Sequence, residues 1–348
     1  MISWVPKKSI NNQFVNELLS LSELHNKYTN GGPVVDLLEK NLYEILKIDH
    51  TKSIVCVSNG TVALWAAVAA IEMYENRDLQ FCTQSFTFPA SAQGYLDNVI
   101  IVDIDNDGGI DLSKIDISKC DGIIITNIFG NVVDIKKYER WAQSNNKFLI
   151  FDNAATSYTF YNGKNSCNYG NAATLSFHHT KPIGFGEGGA IIIDSKYERS
   201  LRNILNFGID NTSPTGKWHR KGGNYKMSDI QAAYILQHLS RFDQLITQAN
   251  VLYSYLIEKI KSVSELKLFP NYSDGNPYLS CISFIVPNSN MIIKSLLDNS
   301  IYCRKYYNPL EQTPVAVDIY NQIVCVSFTV DMTISDIDRI IEIIIEHI

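Results

Sequence analysis

Residues 176–189 read SFHHTKPIGFGEGG, and an apolar run adjoins this stretch at each end. We predict strands at 172–177 and 189–193, joined by a glycine-rich turn. Lys181 is the one lysine of the turn. A lysine sheltered from bulk water has a lowered pKa, and its neutral amine is a nucleophile. The stretch therefore predicts a reactive amine beside a buried strand, although a lone lysine in a loop is usually just solvated.

The chain before this stretch alternates between apolar runs and helical patterns. Most of the runs are continuous, which favours strands buried on both faces of a largely parallel sheet. Helices are predicted at 61–73 and at 135–145, the second capped by Asp134. The alternation predicts an α/β domain with helices on both faces of the sheet. The remaining predicted strands are 54–57, 79–83, 99–102, 122–126 and 148–151.

The pattern changes after residue 206. The polar segment 208–224 is predicted to be a mobile loop, and a long helix is predicted at 228–261 with Ser228 or Asp229 as its cap. We expect a large domain at 1–210 and, at 211–348, the loop, the long helix and a small α+β domain. The predicted elements of the small domain are strands near 264–268, 279–286, 301–306 and 323–328, and helices at 290–299 and 335–347.

Composition narrows the function classes. The chain has 348 residues, of which 45% are hydrophobic, so it can build a core and is not a disordered chain. Its net charge of −6 argues against nucleic-acid binding. Seven scattered cysteines without a C-x-x-C pair favour reduced thiols in a cytoplasmic protein. We find no signal peptide, no membrane span and no metal-ligand pattern, and we expect neither a membrane nor a metal partner.

Two turns that follow predicted strands have further chemical features. Ser58, Asn59, Gly60 and Thr61 open a helix, where free backbone N–H groups and a hydroxyl can hold a phosphate. The simpler interpretation is an ordinary capped turn. Phe88 lies in the loop 85–89 (SFTFP) and could stack on a flat heterocycle, although core packing explains an aromatic there equally well.

Asp152 ends the apolar run 148–151. A carboxylate at the end of a buried strand is costly without a cationic or hydrogen-bonded partner, and a protonated pyridine nitrogen is such a partner. An N-cap or loop aspartate is the alternative. Together the four elements supply a phosphate cup, a stacking ring, an acid for a ring nitrogen and an amine for an aldehyde, which are the groups that pyridoxal 5′-phosphate (PLP) requires.

These residues resemble the PLP-dependent nucleotide-sugar aminotransferases of the DegT/DnrJ/StrS type, which have the fold-type-I architecture. The resemblance runs along nearly the whole chain, and the blocks SFHHTK…GEGG and NYKMSD are its most specific parts. The matching segments are 30–33 (NGGP) with Glu39, 58–64 (SNGTVAL), 85–89 (SFTFP), 129–130 (FG) with Asp134, 176–189, 223–232 (GNYKMSDIQA), 301–309 and 324–328.

The resemblance implies a role for each matching position. Lys181 would form the Schiff base with PLP and shuttle the proton, Asp152 would pair with the pyridine nitrogen, and Phe88 would stack on the ring. The resemblance also implies that Asn224 reaches the cofactor phosphate of a neighbouring subunit, so that a homodimer shares its active sites. The phosphate on each subunit's own side would be held by Asn59, Gly60, Thr61 and Ser176.

The chain departs from the family pattern near the acid. Ala155 stands where the family usually has Gln or His, Asn153 replaces an alanine, and Asn127-Ile128 replaces a His before the FG pair. These differences affect the secondary contacts of the ring rather than the amine. Some relatives carry His in place of the lysine and act as 3-dehydratases, but this chain keeps Lys181 in register, so dehydration is disfavoured.

The resemblance also implies the reaction, a ping-pong transfer of an amino group from L-glutamate to a keto sugar linked to a nucleotide. A basic group in the loop, Lys217, His219, Arg220 and Lys221, is predicted to bind the pyrophosphate, with a solvated basic loop as the alternative. Further candidates for substrate contacts are Asn30, His179, Arg304 and Lys305.

The GEGG sequence, with Glu187 rather than Asp, resembles members that aminate C4. The predicted substrate is therefore a UDP- or dTDP-linked 4-keto-6-deoxyglucose, and the product is a viosamine-type 4-amino-4,6-dideoxy sugar. The alternatives are amination at C3, 3-dehydration, and a regulatory protein that binds PLP or a nucleotide sugar without turnover.

Overall fold

Short apolar runs form the strands of two main sheets. The computed structural model describes residues 1–210, 216–270 and 278–348. In chain order the strands are β1 Lys52–Val57, β2 Phe81–Gln84, β3 Ile100–Val102, β4 Gly122–Thr126, β5 Phe148–Asp152, β6 Phe160–Tyr161, β7 Lys164–Asn165, β8 Ala172–Ser176, β9 Gly189–Asp194, β10 Lys267–Leu268, β11 Cys281–Ile285, β12 Cys303–Arg304 and β13 Ile323–Ser327.

Helices separate most of these strands. The α-helices are α1 Asn12–Leu24, α2 Pro33–Leu46, α3 Gly60–Glu75, α4 Ile135–Ser144, α5 Glu198–Leu205, α6 Asp229–Leu239, α7 Phe242–Lys261, α8 Ser289–Asp298, α9 Pro314–Gln322 and α10 Ile334–Ile345. None of the helices in the described parts of the chain is both long and apolar enough to cross a membrane.

The large sheet has seven strands in the order β1-β9-β8-β5-β4-β2-β3. Only β9 runs against its neighbours, and every other pair in the sheet is parallel. The predicted α/β class and the mostly parallel sheet are therefore confirmed. Because the parallel strands all end at one edge, the turns that follow β1, β2, β4, β5 and β8 meet there.

Helix layers cover both faces of this sheet. Alternate residues of one strand point to opposite faces, so Ile123 and Ile125 pack with α1, α2, α4 and α6, whereas Ile124 packs with α3 and α5. All three isoleucines are fully buried. This two-sided burial explains why the strands are continuous apolar runs.

A smaller antiparallel sheet, β10-β11-β13-β12, lies toward the end of the chain. Residues from α7, α8 and α10 pack with it in a separate apolar cluster. The N-terminal segment joins its edge, where Ile2 pairs with Ile301. This is the predicted α+β architecture. The division at residue 210 stays a prediction, and residues 211–215 of the predicted loop 208–224 lie outside the described residues.

The single long helix predicted at 228–261 is wrong. The chain forms α6 and α7, which are separated at Ser240 and Arg241. The Ser240 hydroxyl donates to the Gln237 carbonyl over 2.8 Å, and Arg241 leaves the helical region with φ −103° and ψ 11°. A serine that bonds to the preceding turn competes with the helical hydrogen bonds and ends the helix.

Candidate active site

A cavity of about 710 Å³ opens at the carboxyl edge of the large sheet. It lies against the turns that follow β1, β2, β5 and β8. Residues that the sequence singled out from five separate segments meet in it, as expected for loops at one end of a parallel sheet. Those that line the cavity are Asn59, Gly60, Thr61, Phe88, Asp152, Ser176, Lys181 and Arg304.

Lys181 presents its amine to this cavity from the turn between β8 and β9. Its backbone N–H donates to the His178 carbonyl over 2.8 Å, and its own carbonyl accepts from Gly184 N–H over 3.0 Å. Burial lowers the pKa of Lys181, while the carboxyl of Asp152 acts in the opposite direction. In the described parts of the chain, the hydrogen bonds of Lys181 involve its backbone N–H and carbonyl and not its Nζ. The amine is thus sheltered, and nothing in these parts of the chain occupies it.

Asp152 is the last residue of β5, and 5% of it is exposed. Its Oδ1 accepts hydrogen bonds from Ala154 N–H over 3.1 Å and from the Thr174 hydroxyl over 3.3 Å. Burial raises the pKa of Asp152, and Lys181 opposes that rise. No donor within the described ranges bonds to Oδ2. That oxygen can therefore accept a hydrogen bond from a cationic group in the cavity.

The turn after β1 forms the start of α3. Asn59 is the N-cap, and its Oδ1 accepts from Val62 N–H over 3.0 Å. The first N–H groups of a helix have no partner within it, and the helix dipole adds positive potential there. A Cβ added to Gly60 would lie 2.8 Å from Cβ of Ser176, so only glycine brings the turn this close to the end of β8. The result is an anion cradle with a buried hydroxyl beside it.

The two phenylalanines of the loop after β2 have different environments. Phe86 is fully buried and packs edge-on against Phe129 and Phe269. Phe88 is 53% exposed and lines the cavity. A large apolar ring left open at a cavity wall can cover a flat ligand. Core packing therefore explains Phe86, but it does not explain Phe88.

The donor set fits PLP. The cavity combines an unoccupied amine, a buried acid with one unbonded oxygen, an anion cradle and an open aromatic face, and these match an aldehyde, a ring nitrogen, a phosphate and a ring. The individual roles of these residues remain predictions. Within the described residues, no group of three or more His, Cys, Asp or Glu side chains could hold a metal ion.

Arg304 enters the same cavity from the smaller sheet. Its guanidinium lies 4.6 Å from the ring of Trp4, 4.8 Å from that of Tyr302 and 5.1 Å from that of Tyr306. Both tyrosine hydroxyls bond to it over 2.5 Å. Its buried Nε has no hydrogen-bond partner in the described parts of the chain. A cation held this way, with a free donor, suits a carboxylate or phosphate ligand.

Sequence reasoning missed two of these aromatic residues that also line the cavity, Trp4 and Tyr306. Trp4 lies in the N-terminal segment, and no local pattern connects it to a residue 300 positions away. Of the two histidines before Lys181, His178 lines the cavity. His179, the predicted substrate contact, lies outside it, edge-on to Phe185 at 5.6 Å between ring centroids.

The other predicted contacts do not line this cavity. They are Asn30, Lys217, His219, Arg220, Lys221, Asn224 and Lys305. Asn224 is exposed and pairs with Asn206 through the backbone, and Arg220 is a surface residue whose Nη2 lies 3.8 Å from Asp78. Lys221 is different from its neighbours because its Nζ bonds to Glu72 over 2.6 Å and to Asp78 over 2.5 Å.

Part of the 223–232 block supports the site instead of lining it. The Gln231 amide donates over 3.3 Å to the carbonyls of Ser58 and Glu187, which flank the cradle and the glycine-rich turn. Asn153, one of the departures near the acid, is buried and accepts from the Asn127 amide over 2.6 Å. These two asparagines, both among the departures noted in the sequence, therefore pair with each other.

Comparisons with known proteins agree with this geometry. The profile of the DegT/DnrJ/EryC1/StrS aminotransferase family matches residues 9–345, which confirms the resemblance noted in the sequence. A dTDP-4-amino-4,6-dideoxy-D-glucose transaminase of Escherichia coli is 27% identical over 335 residues, which cover 87% of each chain. A UDP-4-amino-4,6-dideoxy-N-acetyl-beta-L-altrosamine transaminase of Campylobacter jejuni is 28% identical over 82% of this chain and 79% of its own.

Solved structures share the fold. Helicobacter pylori PseC, an aminotransferase involved in the biosynthesis of pseudoaminic acid, superposes with a TM-score of 0.85. The superposition covers 99% of this chain and 98% of the other, with 18% identity. The predicted fold type is therefore confirmed over essentially the whole length.

Proposed function

Because the chain belongs to the DegT/DnrJ/EryC1/StrS aminotransferase family, we propose that it transfers an amino group from L-glutamate to C4 of a dTDP- or UDP-linked 4-keto-6-deoxyglucose. It is a PLP-dependent aminotransferase. The observation that carries the proposal is the meeting of Lys181, Asp152 and the cradle at Gly60 in one cavity. The product is a 4-amino-4,6-dideoxy nucleotide sugar.

PLP, when bound, supplies an aldehyde and an electron-withdrawing ring through which an amino group can be exchanged. Lys181 Nζ offers the amine and moves a proton, which its lowered pKa favours at neutral pH. Asp152 Oδ2 would accept a hydrogen bond from the ring N–H and would keep that nitrogen protonated. Ser176 and the first turn of α3 would hold the phosphate, and Phe88 would cover the ring and exclude water from it.

The names of the relatives support the substrate. Two relatives are named as transaminases of a 4-amino-4,6-dideoxy sugar, which is linked to dTDP in one name and to UDP in the other. We propose that cationic side chains bind the pyrophosphate of the nucleotide sugar, because such side chains bind phosphate groups strongly. Arg304, a cation that lines the cavity, is positioned for a carboxylate of the amino donor or a phosphate of the sugar nucleotide.

We propose that the remaining predicted contact residues act in the active site of a second copy of the chain. Lys217, Arg220 and Asn224 are exposed and lie outside the cavity of their own chain. A homodimer in which each chain completes the other's site gives these side chains a ligand, and Trp218 beside them is 71% exposed, which favours an interface there. His219 and Asn30 belong to the same proposed set.

Mixing of two inactive variants tests the shared site. Lys181→Ala and Asn224→Asp would each be inactive alone. After unfolding and refolding together, half of the dimers are mixed, and one of the two sites in each mixed dimer is intact. We expect about a quarter of wild-type activity to return if subunits assort at random. Recovery of none, with dimers present by light scattering, contradicts the shared site.

The substrate is tested with purified protein, PLP, glutamate and matched 3-keto and 4-keto nucleotide sugars. Glutamate alone should shift the cofactor absorbance from about 420 nm to about 330 nm. Mass spectrometry should then show nitrogen gained only with the 4-keto sugar. Nitrogen gained from the 3-keto sugar contradicts the C4 assignment, loss of oxygen without nitrogen indicates a dehydratase, and a spectrum unchanged by any amino acid indicates a non-catalytic binder.

A further inference from the structure

One lysine of the N-terminal segment, Lys8, contacts the turn that carries Lys181. Nζ of Lys8 donates to the carbonyl of His179 over 2.7 Å and to that of Lys181 over 2.8 Å. A third hydrogen bond goes to the carbonyl of Gly184. Three carbonyl oxygens from one short stretch of backbone thus converge on a single ammonium group, which uses all three of its donors.

The turn has few other external supports. His238 contacts the carbonyl of Pro182 through Nε2 over 2.8 Å, and Phe185 stacks on Tyr234. Inside the turn, His179 N–H donates to the Gly186 carbonyl. Without a cation between them, the carbonyls of His179 and Gly184 would have no hydrogen-bond partner among the described residues, and that of Lys181 would keep only its bond from Gly184 N–H, which is unfavourable in a half-buried space. Rings of backbone carbonyls with this arrangement bind monovalent metal ions such as K⁺ in other proteins.

The charges around Lys8 do not explain its location. The titratable groups that face it are His179 and His238, and its own segment contacts Arg241 through the Ser9 hydroxyl and Asp331 through the Lys7 N–H. Neither hydrogen bonds nor ion pairs join Lys8 to an acid among the described residues. Burial lowers the pKa of Lys8 to about 7, whereas the three carbonyl acceptors favour its charged form. The carbonyl dipoles are therefore what attracts the charge to this position.

We propose that Lys8 is a positioning residue whose ammonium group acts as a built-in monovalent cation and holds the turn that presents Lys181 to the cavity. Lys8 is not among the residues that line the cavity. It acts through the backbone on each side of Lys181. This inference rests on the proposed role of Lys181, but its main test does not.

Hydrogen exchange of the cofactor-free protein is that test. Lys8→Met removes the charge and keeps most of the side-chain volume, and Lys8→Ala leaves space for an ion. Lys7→Met is the matched control, because the Lys7 side chain is exposed and only its backbone N–H bonds to Asp331. We expect residues 178–186 to exchange about 10- to 100-fold faster in both Lys8 variants, with β9 unchanged and the control like wild type.

Chemical rescue separates charge from packing. Potassium chloride, at on the order of 0.2 M, should restore slow exchange of residues 178–186 in Lys8→Ala. Tetramethylammonium chloride at the same ionic strength should not, because that ion is too large. The proposal is overturned if residues 178–186 of the Lys8 variants exchange within twofold of the control, or if exchange is faster throughout the protein. It is also overturned if potassium does not slow the exchange of these residues in Lys8→Ala.

A second readout uses the loaded protein. Borohydride reduction followed by peptide mass spectrometry reports which lysine binds PLP and how fast. We expect attachment at Lys181 to slow by about tenfold in Lys8→Met. Label found on another lysine contradicts the role of Lys181, while the exchange result would still decide whether Lys8 holds the turn.

Discussion

Two buried aspartates, Asp152 and Asp229, have very different surroundings. Asp229 is fully buried at the start of α6, and it accepts from the Ser22 hydroxyl over 2.5 Å and from the N–H groups of Val34 and Val35 over 3.3 and 3.0 Å. Both of its oxygens are bonded. Asp152 is nearly as buried, but donors in the described residues reach only one of its oxygens. Burial alone therefore does not distinguish the two acids; the oxygen without a donor does.

The partners of Asp229 show what it does. Val34 and Val35 are in the first turn of α2, so the carboxylate caps this helix at its positive end. A Cβ on Gly32 would lie 2.3 Å from Asp229 Oδ2, so the approach requires glycine there. The acid of the NYKMSD block thus joins two helices, whereas the acid that ends β5 lines the cavity.

The largest effect should come from the amine opposite Asp152. Lys181→Ala should reduce kcat by roughly 10³- to 10⁴-fold, because it removes both the nucleophile and the proton carrier. Lys164→Ala, at a surface lysine paired with Asp49, is the control and should keep wild-type kcat. The measurement is single-turnover transfer from glutamate. A loss below tenfold would mean that the cavity with the unfilled acid is not where the chemistry occurs.

Asp152→Asn should reduce turnover by about 10²- to 10³-fold, since an amide cannot keep a ring nitrogen protonated. The fold should remain intact. Circular dichroism and kcat, measured on the same preparations, separate the two effects. If Asp152→Asn unfolds the protein and retains activity in the folded fraction, the distinction between the two aspartates fails.

The stability of Asp152→Asn should also depend on pH differently from that of the wild type. The pKa of Asp152 is raised above its ordinary 3.8 because burial disfavours the charge. A group whose pKa is higher in the folded than in the unfolded chain stabilises the fold at low pH, and this contribution is lost as the pH rises through the folded pKa. Urea unfolding of the cofactor-free proteins should therefore show Asp152→Asn gaining on wild type from about pH 4 toward neutrality. A gain toward acid would contradict the assignment.

Asp229→Asn should have the opposite profile. The variant should lose roughly 2–4 kcal/mol of unfolding free energy, because it leaves buried N–H donors facing an amide. Its kcat per folded molecule should stay within about threefold of wild type. Urea denaturation gives the first quantity, and active-site titration with PLP corrects the second. A normal stability with lost turnover would place Asp229 at the site after all.

The smallest effects should come from Phe86 and Phe88, the two phenylalanines of the loop after β2. Phe88→Leu should weaken PLP binding by up to about tenfold with little change in stability. Phe86→Leu should cost about 1 kcal/mol of unfolding free energy and leave PLP affinity unchanged. Equilibrium dialysis and thermal unfolding measure the two quantities. The same effect from both would show that exposure at the cavity wall does not distinguish them.

Much of the fold could be predicted from local patterns. Strand β4 was predicted at its observed bounds because a continuous apolar run buried on both faces has no other good solution. The helix at 228–261 was predicted too long, since one serine side chain ends α6 and apolar periodicity continues on both sides of it. Helices α1 and α2 were not predicted, although Pro33 at the start of α2 was a usable signal.

The site could be predicted only where its chemistry is local. Lys181, Asp152 and Gly60 each follow a strand, so their convergence follows from a parallel sheet. Lys8 and Trp4 were missed because the contacts of both with the site join the N-terminal segment to residues far along the chain. Nothing in the residue types separates the capping acid Asp229 from the ligand-facing Asp152. That distinction needs the hydrogen-bond partners.

The pairing of β5 with β8 has one more consequence. Asp152 lies opposite Thr174 in this ladder, and Ser176 follows two residues further along the adjacent strand. Strand spacing and rise per residue then put the backbones at 152 and 176 about 8 Å apart. The backbone geometry of the two strands alone sets this distance. No side-chain substitution can reset it, so only a slipped register would give the two ends of the cavity a different span.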